Sequence, residues 1–276
     1  MKQNKIKNIA NKIVAISFII LSITSCSSGD AEPELVFSSL TTSKTYTYIE
    51  NSPILTFVGT GYDNVNVTST NTLVTIVKKT ETTYEIKASA ETLATIKVEL
   101  SNNSKKEFKT VQLYFFEHGV INSNTVEGIK INTDNVAKTL LLLGEPEYKT
   151  DSSDGLKEYW RYYSKGLALT IVKSSKIATQ IEMFSSNYYY INSDNVKIYY
   201  TNYPYEIGNG WKINNTSTTM DMVVNKLGTP AIKRSSTSGS SINVYYQYTT
   251  QQIVFRFISD IEDNYTGKKI INYTIY

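Results

Sequence analysis

Gly128-Ile129-Lys130-Ile131-Asn132 opens a stretch that runs through an apolar segment to Leu143-Gly144-Glu145-Pro146. Gly210-Trp211-Lys212-Ile213-Asn214 opens another, ending Leu227-Gly228-Thr229-Pro230. The shared text is G-x-K-I-N, then L-G-x-P. The openings lie 82 positions apart and the endings 84. Seven matching letters in one order read as an internal duplication. Between opening and ending, Val136, Leu140 and Leu143 fall on one helical face, as do Met220, Val223, Val224 and Leu227. Thr133-Asp134-Asn135 is placed to cap the first helix and Thr216-Ser217-Thr218 the second. Gly144 and Gly228 are the expected stops, each with a proline two residues on.

Aromatic strands follow each helix. The first copy gives Glu158–Tyr163, Leu167–Val172 and Ile177–Phe184; the second gives Val244–Tyr248, Ile253–Phe257 and Ile270–Tyr276. The Ser-rich segments before them, 150–155 and 235–241, read as turns. Period-two alternation puts Trp160, Tyr162, Leu167, Leu169 and Ile171 on the helix-packed face, matched by Tyr246, Tyr248, Ile253, Phe255 and Phe257. The other face then carries Tyr159, Arg161, Tyr163 and Thr170, and Tyr245, Gln247, Thr249 and Arg256. Amphipathic aromatics with arginine are the composition of protein-binding surfaces, so Tyr159, Arg161, Tyr163, Tyr245, Gln247 and Arg256 are the candidate binding residues. Between the copies, seven tyrosines fall within the eighteen residues from Tyr188 to Tyr205. They have the composition to stack on sugars or peptides, but read first as a strand pair joining the two sheets, since tyrosine favours strands.

A short helix with a three-strand meander, closed by L-G-x-P and led by a Tyr/Trp strand, resembles the SmpA/BamE family of outer-membrane lipoproteins. In tandem it resembles the β-lactamase inhibitor protein fold. That resemblance covers about 127–276 and implies a partner gripped on a concave aromatic sheet. Upstream, residues 34 to about 117 are eight short β runs separated by turns, a sandwich pattern. The segments Val65-Asn66-Val67-Thr68-Ser69, Tyr84-Glu85-Ile86-Lys87-Ala88 and Ala94-Thr95-Ile96-Lys97-Val98 resemble the bacterial Ig-like family, whose members act as spacers or adhesive modules. The expected fold is mainly β with α+β: an Ig-like β-sandwich at 34–118, a first repeat at 125–190, then linker strands and a second repeat at 191–276.

The N-terminus reads as an address. Lys2, Lys5, Lys7 and Lys12 precede an apolar run, Ile13 to Leu21, that is too short to span a bilayer. The run ends Ile23-Thr24-Ser25-Cys26, which resembles a bacterial lipobox. The resemblance implies a signal peptide at 1–25, lipidation of Cys26 and a tether at 26–33. Cys26 is the only cysteine, so disulfides and thiol catalysis are excluded from the rest of the chain. Of 28 basic residues the signal takes four, leaving 24 against 25 acids. That balance gives no electrostatic case for nucleic acid.

No nucleophile elbow, paired His motif or phosphate loop is present. Glu145 with Glu147, and Asp154 with Glu158, are acid pairs at solvated positions. Asp260-Ile261-Glu262-Asp263-Asn264 lacks calcium-loop spacing. His118, the only histidine, falls in a polar hinge and reads as a plain loop residue. The expectation is a non-catalytic outer-membrane lipoprotein on the periplasmic or cell-surface face, without cofactor or metal. It binds another envelope or extracellular protein, or assists envelope assembly. The alternative is a glycan-binding or glycan-processing surface lipoprotein.

Overall fold

The computed structural model describes residues 33–276 apart from 123, 239–240 and 262–263. The signal segment, Cys26 and the tether to residue 32 lie outside the described residues, as do Glu262 and Asp263. The chain is mainly β. Its first part runs β1 (Val36–Thr42), β2 (Tyr46–Tyr48), β3 (Ile54–Thr60), β4 (Asn64–Ser69), β5 (Val74–Lys78), β6 (Thr83–Ala88), β7 (Thr92–Ser101) and β8 (Lys106–Phe116). Two four-stranded sheets form, in the orders β1-β3-β6-β5 and β2-β8-β7-β4. Strict alternation in β7 buries Ala94, Ile96, Val98 and Leu100 against Leu55, Phe57, Ile86 and Phe115.

Short strands β9 (Val120–Asn122), β10 (Thr125–Val126) and β11 (Ile129–Lys130) lead to α1 (Val136–Leu143). Then come β12 (Tyr148–Asp151), β13 (Lys157–Tyr162), β14 (Leu167–Val172) and β15 (Ile177–Phe184). A small hairpin, β16 (Tyr189–Ile191) and β17 (Lys197–Tyr199), precedes α2 (Met220–Leu227). The last strands are β18 (Ile232–Ser238), β19 (Ser241–Tyr248), β20 (Ile253–Ser259) and β21 (Asn272–Ile275). Each helix is thus followed by four strands, not three. The additional ones, β12 and β18, are the sheet's two edges and come partly from segments expected to be turns. Edge strands face water along one side, so their Lys, Arg, Ser and Thr content disguises them.

All eight strands form one sheet, ordered β12-β13-β14-β15-β21-β20-β19-β18. The two halves join directly where β15 pairs with β21. Trp160, Tyr162, Leu169, Tyr246, Phe255 and Phe257 are buried with Leu143, Met220 and Val223 of the helices in one continuous core.

The doubled phrase has matching geometry at both places. Asn132 and Asn214 take left-handed backbone (φ 58° and 54°), which asparagine tolerates better than most residues. Their amides donate to the carbonyls of Ala178 and Ile270, each at 2.7 Å. Gly144 and Gly228 end the helices at φ 78° and 79°. The Tyr162 hydroxyl donates to the Gly144 carbonyl at 3.0 Å, and Tyr248 to Gly228 at 3.1 Å. Each aromatic strand therefore satisfies a helix-end carbonyl that would otherwise lack a partner. The first cap falls at Asn135, within the expected 133–135 segment, and accepts from the Lys138 amide at 3.1 Å. Asp134 instead accepts from the Lys130 amide and from Lys138 Nζ, both at 2.7 Å. Thr219 is the α2 cap residue, and its side chain makes no capping bond.

His118 is not a plain loop residue. It is stacked between Tyr48 and Tyr205, with ring centroids 3.4 and 4.0 Å away. Its Nδ1 lies 2.8 Å from Glu127 and its Nε2 2.7 Å from Glu50. Buried Glu127 also accepts from the Tyr48 hydroxyl (2.8 Å), the Gly119 amide (2.9 Å) and the Tyr203 hydroxyl. Tyr48 and Glu50 come from the sandwich side, Tyr203 and Tyr205 from the segment after β17. One carboxylate thus bonds the sandwich to the rest of the chain. Glu127→Ala should lower unfolding stability by on the order of 3 kcal/mol in urea titration, because it orphans several buried donors at once. A loss under about 0.5 kcal/mol, the size of an ordinary surface substitution, would contradict this role.

Candidate functional site

The face of the eight-stranded sheet opposite the helices is polar and aromatic. Register sets its rows. One runs Tyr148, Arg161, Ala168, Glu182, Thr274, Val254, Gln247 across the strands. Another runs Asn272, Arg256, Tyr245, Arg234. Tyr159, Arg161, Tyr245, Gln247 and Arg256 therefore share one continuous surface.

Two expected members do not join them. Tyr163 sits in a short 3-10 turn after β13 and is 6% exposed, its hydroxyl enclosed without a partner. It packs in a cluster with Ala168, Phe184 and Tyr200, out of a ligand's reach. Thr249 lies in the exposed turn after β19. In both cases the strand ends before the alternation rule stops counting.

The tyrosine-rich stretch does not join the sheets. The β16–β17 hairpin folds over the face of the first half. Tyr200 stacks on Phe184 at 4.1 Å, Tyr188 lies 4.6 Å from Phe184, and Tyr190 lies 5.6 Å from Tyr148. Backbone bonds from Thr201 to Tyr163 and from Tyr203 to Phe184, both 2.9 Å, hold the segment down. Gly166 (φ 66°) permits that approach, since a Cβ there would meet Thr201 and Tyr203 backbone at 2.6 Å.

The hairpin divides the face into two hollows that share Glu182. One, about 300 Å³, is lined by Glu182, Tyr188, Arg234, Tyr245, Gln247 and Arg256 among others. The other, about 370 Å³, includes Tyr159, Arg161, Glu182, Tyr188 and Tyr190. The Arg161 guanidinium lies 3.8 Å from the Tyr190 ring centre and donates to Thr150 at 2.6 Å. Arg256 lies 4.5 Å from Tyr188 and donates to Asn243 at 2.6 Å. Gln247 donates to the Tyr276 hydroxyl at 2.7 Å.

Glu182 was not singled out by sequence, although alternation along β15 would place Gln180 and Glu182 beside Arg161; Tyr188 belongs to the tyrosine-rich stretch noted there. Burial pushes the Glu182 carboxyl above its usual range. Its hydrogen bond from Gln180 (2.9 Å) and the Arg161 and Arg256 charges pull the other way without cancelling that. Burial likewise raises the Tyr188 phenol.

Among the described residues no cluster of three or more His, Cys, Asp or Glu side chains is placed to hold a metal ion. The two acid pairs noted in the sequence are engaged locally. Glu145 meets Lys149, Glu147 accepts from Ser164, Asp154 from Ser152, and Glu158 from Trp160. The groove offers hydrogen bonding, guanidinium forks and ring faces around one carboxylate.

No protein-family model and no curated protein matches the chain. Among solved structures, an extracellular SCP-domain protein from Bacillus anthracis str. Ames aligns at 10% identity and a TM-score of 0.29, over 52% of this chain and 46% of that one. A DUF4309 family protein from Bacillus subtilis subsp. subtilis str. 168 aligns at 15% identity and a TM-score of 0.31, over 55% and 84%. The chain spans about half the length of the first. Scores of this size carry no argument about what the chain does.

The folded state holds the Glu182 proton more tightly than the unfolded chain does. The stability this carboxyl contributes is full below its ordinary value of 4.5 and is lost as pH rises through the raised folded value. Glu182→Gln should therefore raise the melting temperature at about pH 7.5 and leave it nearly unchanged at about pH 4. A variant less stable than wild type at the higher pH would contradict a desolvated carboxyl.

Proposed function

We propose that this chain is a non-catalytic binding module whose aromatic sheet face takes a segment of another envelope or extracellular protein. The carrying observation is that Arg161 and Tyr159 in one hollow, and Arg256, Tyr245 and Gln247 in the next, lie on one sheet face, the two hollows meeting at Glu182 and Tyr188. The module reads as two copies of a helix-plus-meander unit fused edge to edge. An Ig-like sandwich carries it, with the SmpA/BamE-like and β-lactamase-inhibitor-like resemblance behind that reading. The lipobox-like Ile23-Thr24-Ser25-Cys26 supports an anchor at the outer membrane, with the sandwich as a spacer. An envelope-assembly role belongs to the same reading. A glycan-binding role is the second reading, favoured by the amides and hydroxyls of Gln180, Gln247, Asn272 and Thr274 in the groove.

A photo-crosslinking amino acid at Gln247 of the full-length protein in cells should yield a discrete protein adduct. The same group at exposed Val58 of the sandwich should not. Adducts from Val58 alone, or only polysaccharide adducts from Gln247, would overturn the protein-binding reading. Separately, Cys26→Ala should move the protein from the membrane to the soluble fraction. Retention in the membrane fraction would remove the lipid anchor from the account.

A further inference from the structure

The chain has 28 basic residues, of which only three are arginine: Arg161, Arg234 and Arg256. All three belong to the open face of the eight-stranded sheet and line its two hollows. Lysines of the edge strands lean toward rings of the other face, Lys149 over Trp160 and Lys233 over Tyr246. Solubility does not demand arginine, since lysine serves it over the rest of the chain. What arginine adds is a planar fork that holds a carboxylate with two parallel hydrogen bonds and stacks on aromatic rings.

The stacking is present already. Tyr190 and Tyr188 cover Arg161 and Arg256, and Thr150 and Asn243 each take one of their donors. The Arg256 Nε is enclosed and without a partner. Ion pairs among the described residues involve lysines and His118; none is seen for these arginines. The one carboxylate shared by both hollows, Glu182, accepts from Gln180. Two guanidiniums are therefore fixed in direction with donors unused. Ordering them in advance lowers the entropy lost when an anion binds.

We infer that the groove is a receptor for an acidic polypeptide segment, whose carboxylates seat on Arg234, Arg256 and Arg161. This inference rests on the binding-module reading above and names the chemistry of its ligand. A polypeptide is favoured over an acidic glycan by the apolar rim. Tyr189, Ile191 and Ile258 stand exposed around the hollows, and they suit apolar side chains between the acids. The spacing follows from the sheet. Arg256 and Arg234 are two strands apart, about 10 Å, and Arg161 is four strands beyond Arg256, about 20 Å. An extended chain advances roughly 3.3 Å per residue, so carboxylates about three and then about six residues apart match the row.

The test uses the full-length protein in detergent and a fluorescent ten-residue peptide with Glu at positions one, four and ten on a Leu/Ser background. Controls are the same peptide with Gln at those positions, and an oligogalacturonate of similar length. The Glu peptide should bind at least about tenfold more tightly than the Gln peptide, and more weakly as salt rises. Arg256→Gln should weaken it about tenfold. Arg256→Lys, which keeps the charge and loses the fork, should weaken it nearly as much. Lys226→Gln on α2 should change it by less than about twofold. Melting curves confirm that the variants fold. Equal binding of the Glu and Gln peptides, binding of the oligogalacturonate alone, or an unaltered affinity in folded Arg256→Gln would each overturn the inference. If the Gln247 crosslink to a protein persists while the Glu peptide fails, the module reading stands and the carboxylate receptor falls.

Discussion

The pairing of β15 with β21 is the contact on which the rest of the sheet depends. Four residue pairs carry it: Ile181 with Ile275, Glu182 with Thr274, Met183 with Tyr273, and Phe184 with Asn272. Each half of the sheet would otherwise end in an unpaired edge, with backbone donors and acceptors lacking partners. Joining them antiparallel makes one sheet with one core on its helix side. Ile181, Met183, Tyr273 and Ile275 are buried there. The same ladder sends Glu182, Thr274 and Asn272 to the opposite side, where they form the groove floor. Fold and candidate site are two faces of one ladder.

Much of this was legible beforehand. Alternation separated Trp160 and Tyr162 from Tyr159 and Arg161, because a strand has a strict period of two. Gly144 and Gly228 announced their helix ends, because their left-handed backbone favours glycine. What escaped was either non-local or chemically bland. No local signal marks which strand edges will meet, so nothing within β15 or β21 announces their junction, and the tyrosine-rich stretch between the copies reads as the joining pair. Tyrosine serves a cover as well as a strand, so composition does not separate them. β12 and β18 escaped because an edge strand need not alternate. His118 escaped because its partners, Glu50, Tyr48, Glu127 and Tyr205, lie far apart in sequence or carry no periodicity.

The groove also departs from the local rules of stability. A carboxyl sits where burial disfavours its charge, and an arginine Nε is enclosed without a partner. The hydroxyl of Tyr163 is enclosed as well, under the hairpin. Groups left this way lower stability and concentrate where a chain does more than fold. The sandwich core is a regular alternation of apolar residues, with the Thr47 hydroxyl enclosed without a partner at its β2 side. The division of labour follows. The sandwich and the Glu127 network hold the body together, and the fused sheet presents the irregular chemistry.

The most direct test of this account is native-state hydrogen exchange of the full-length protein, read on peptides spanning 181–184 and 272–275. The fused sheet predicts protection there comparable to that of β7 and β8 in the sandwich, since both strands are central. Exchange as fast as that of the exposed turn at 152–156 would show two separate sheets. The groove that links Arg161 to Arg256 would then not exist.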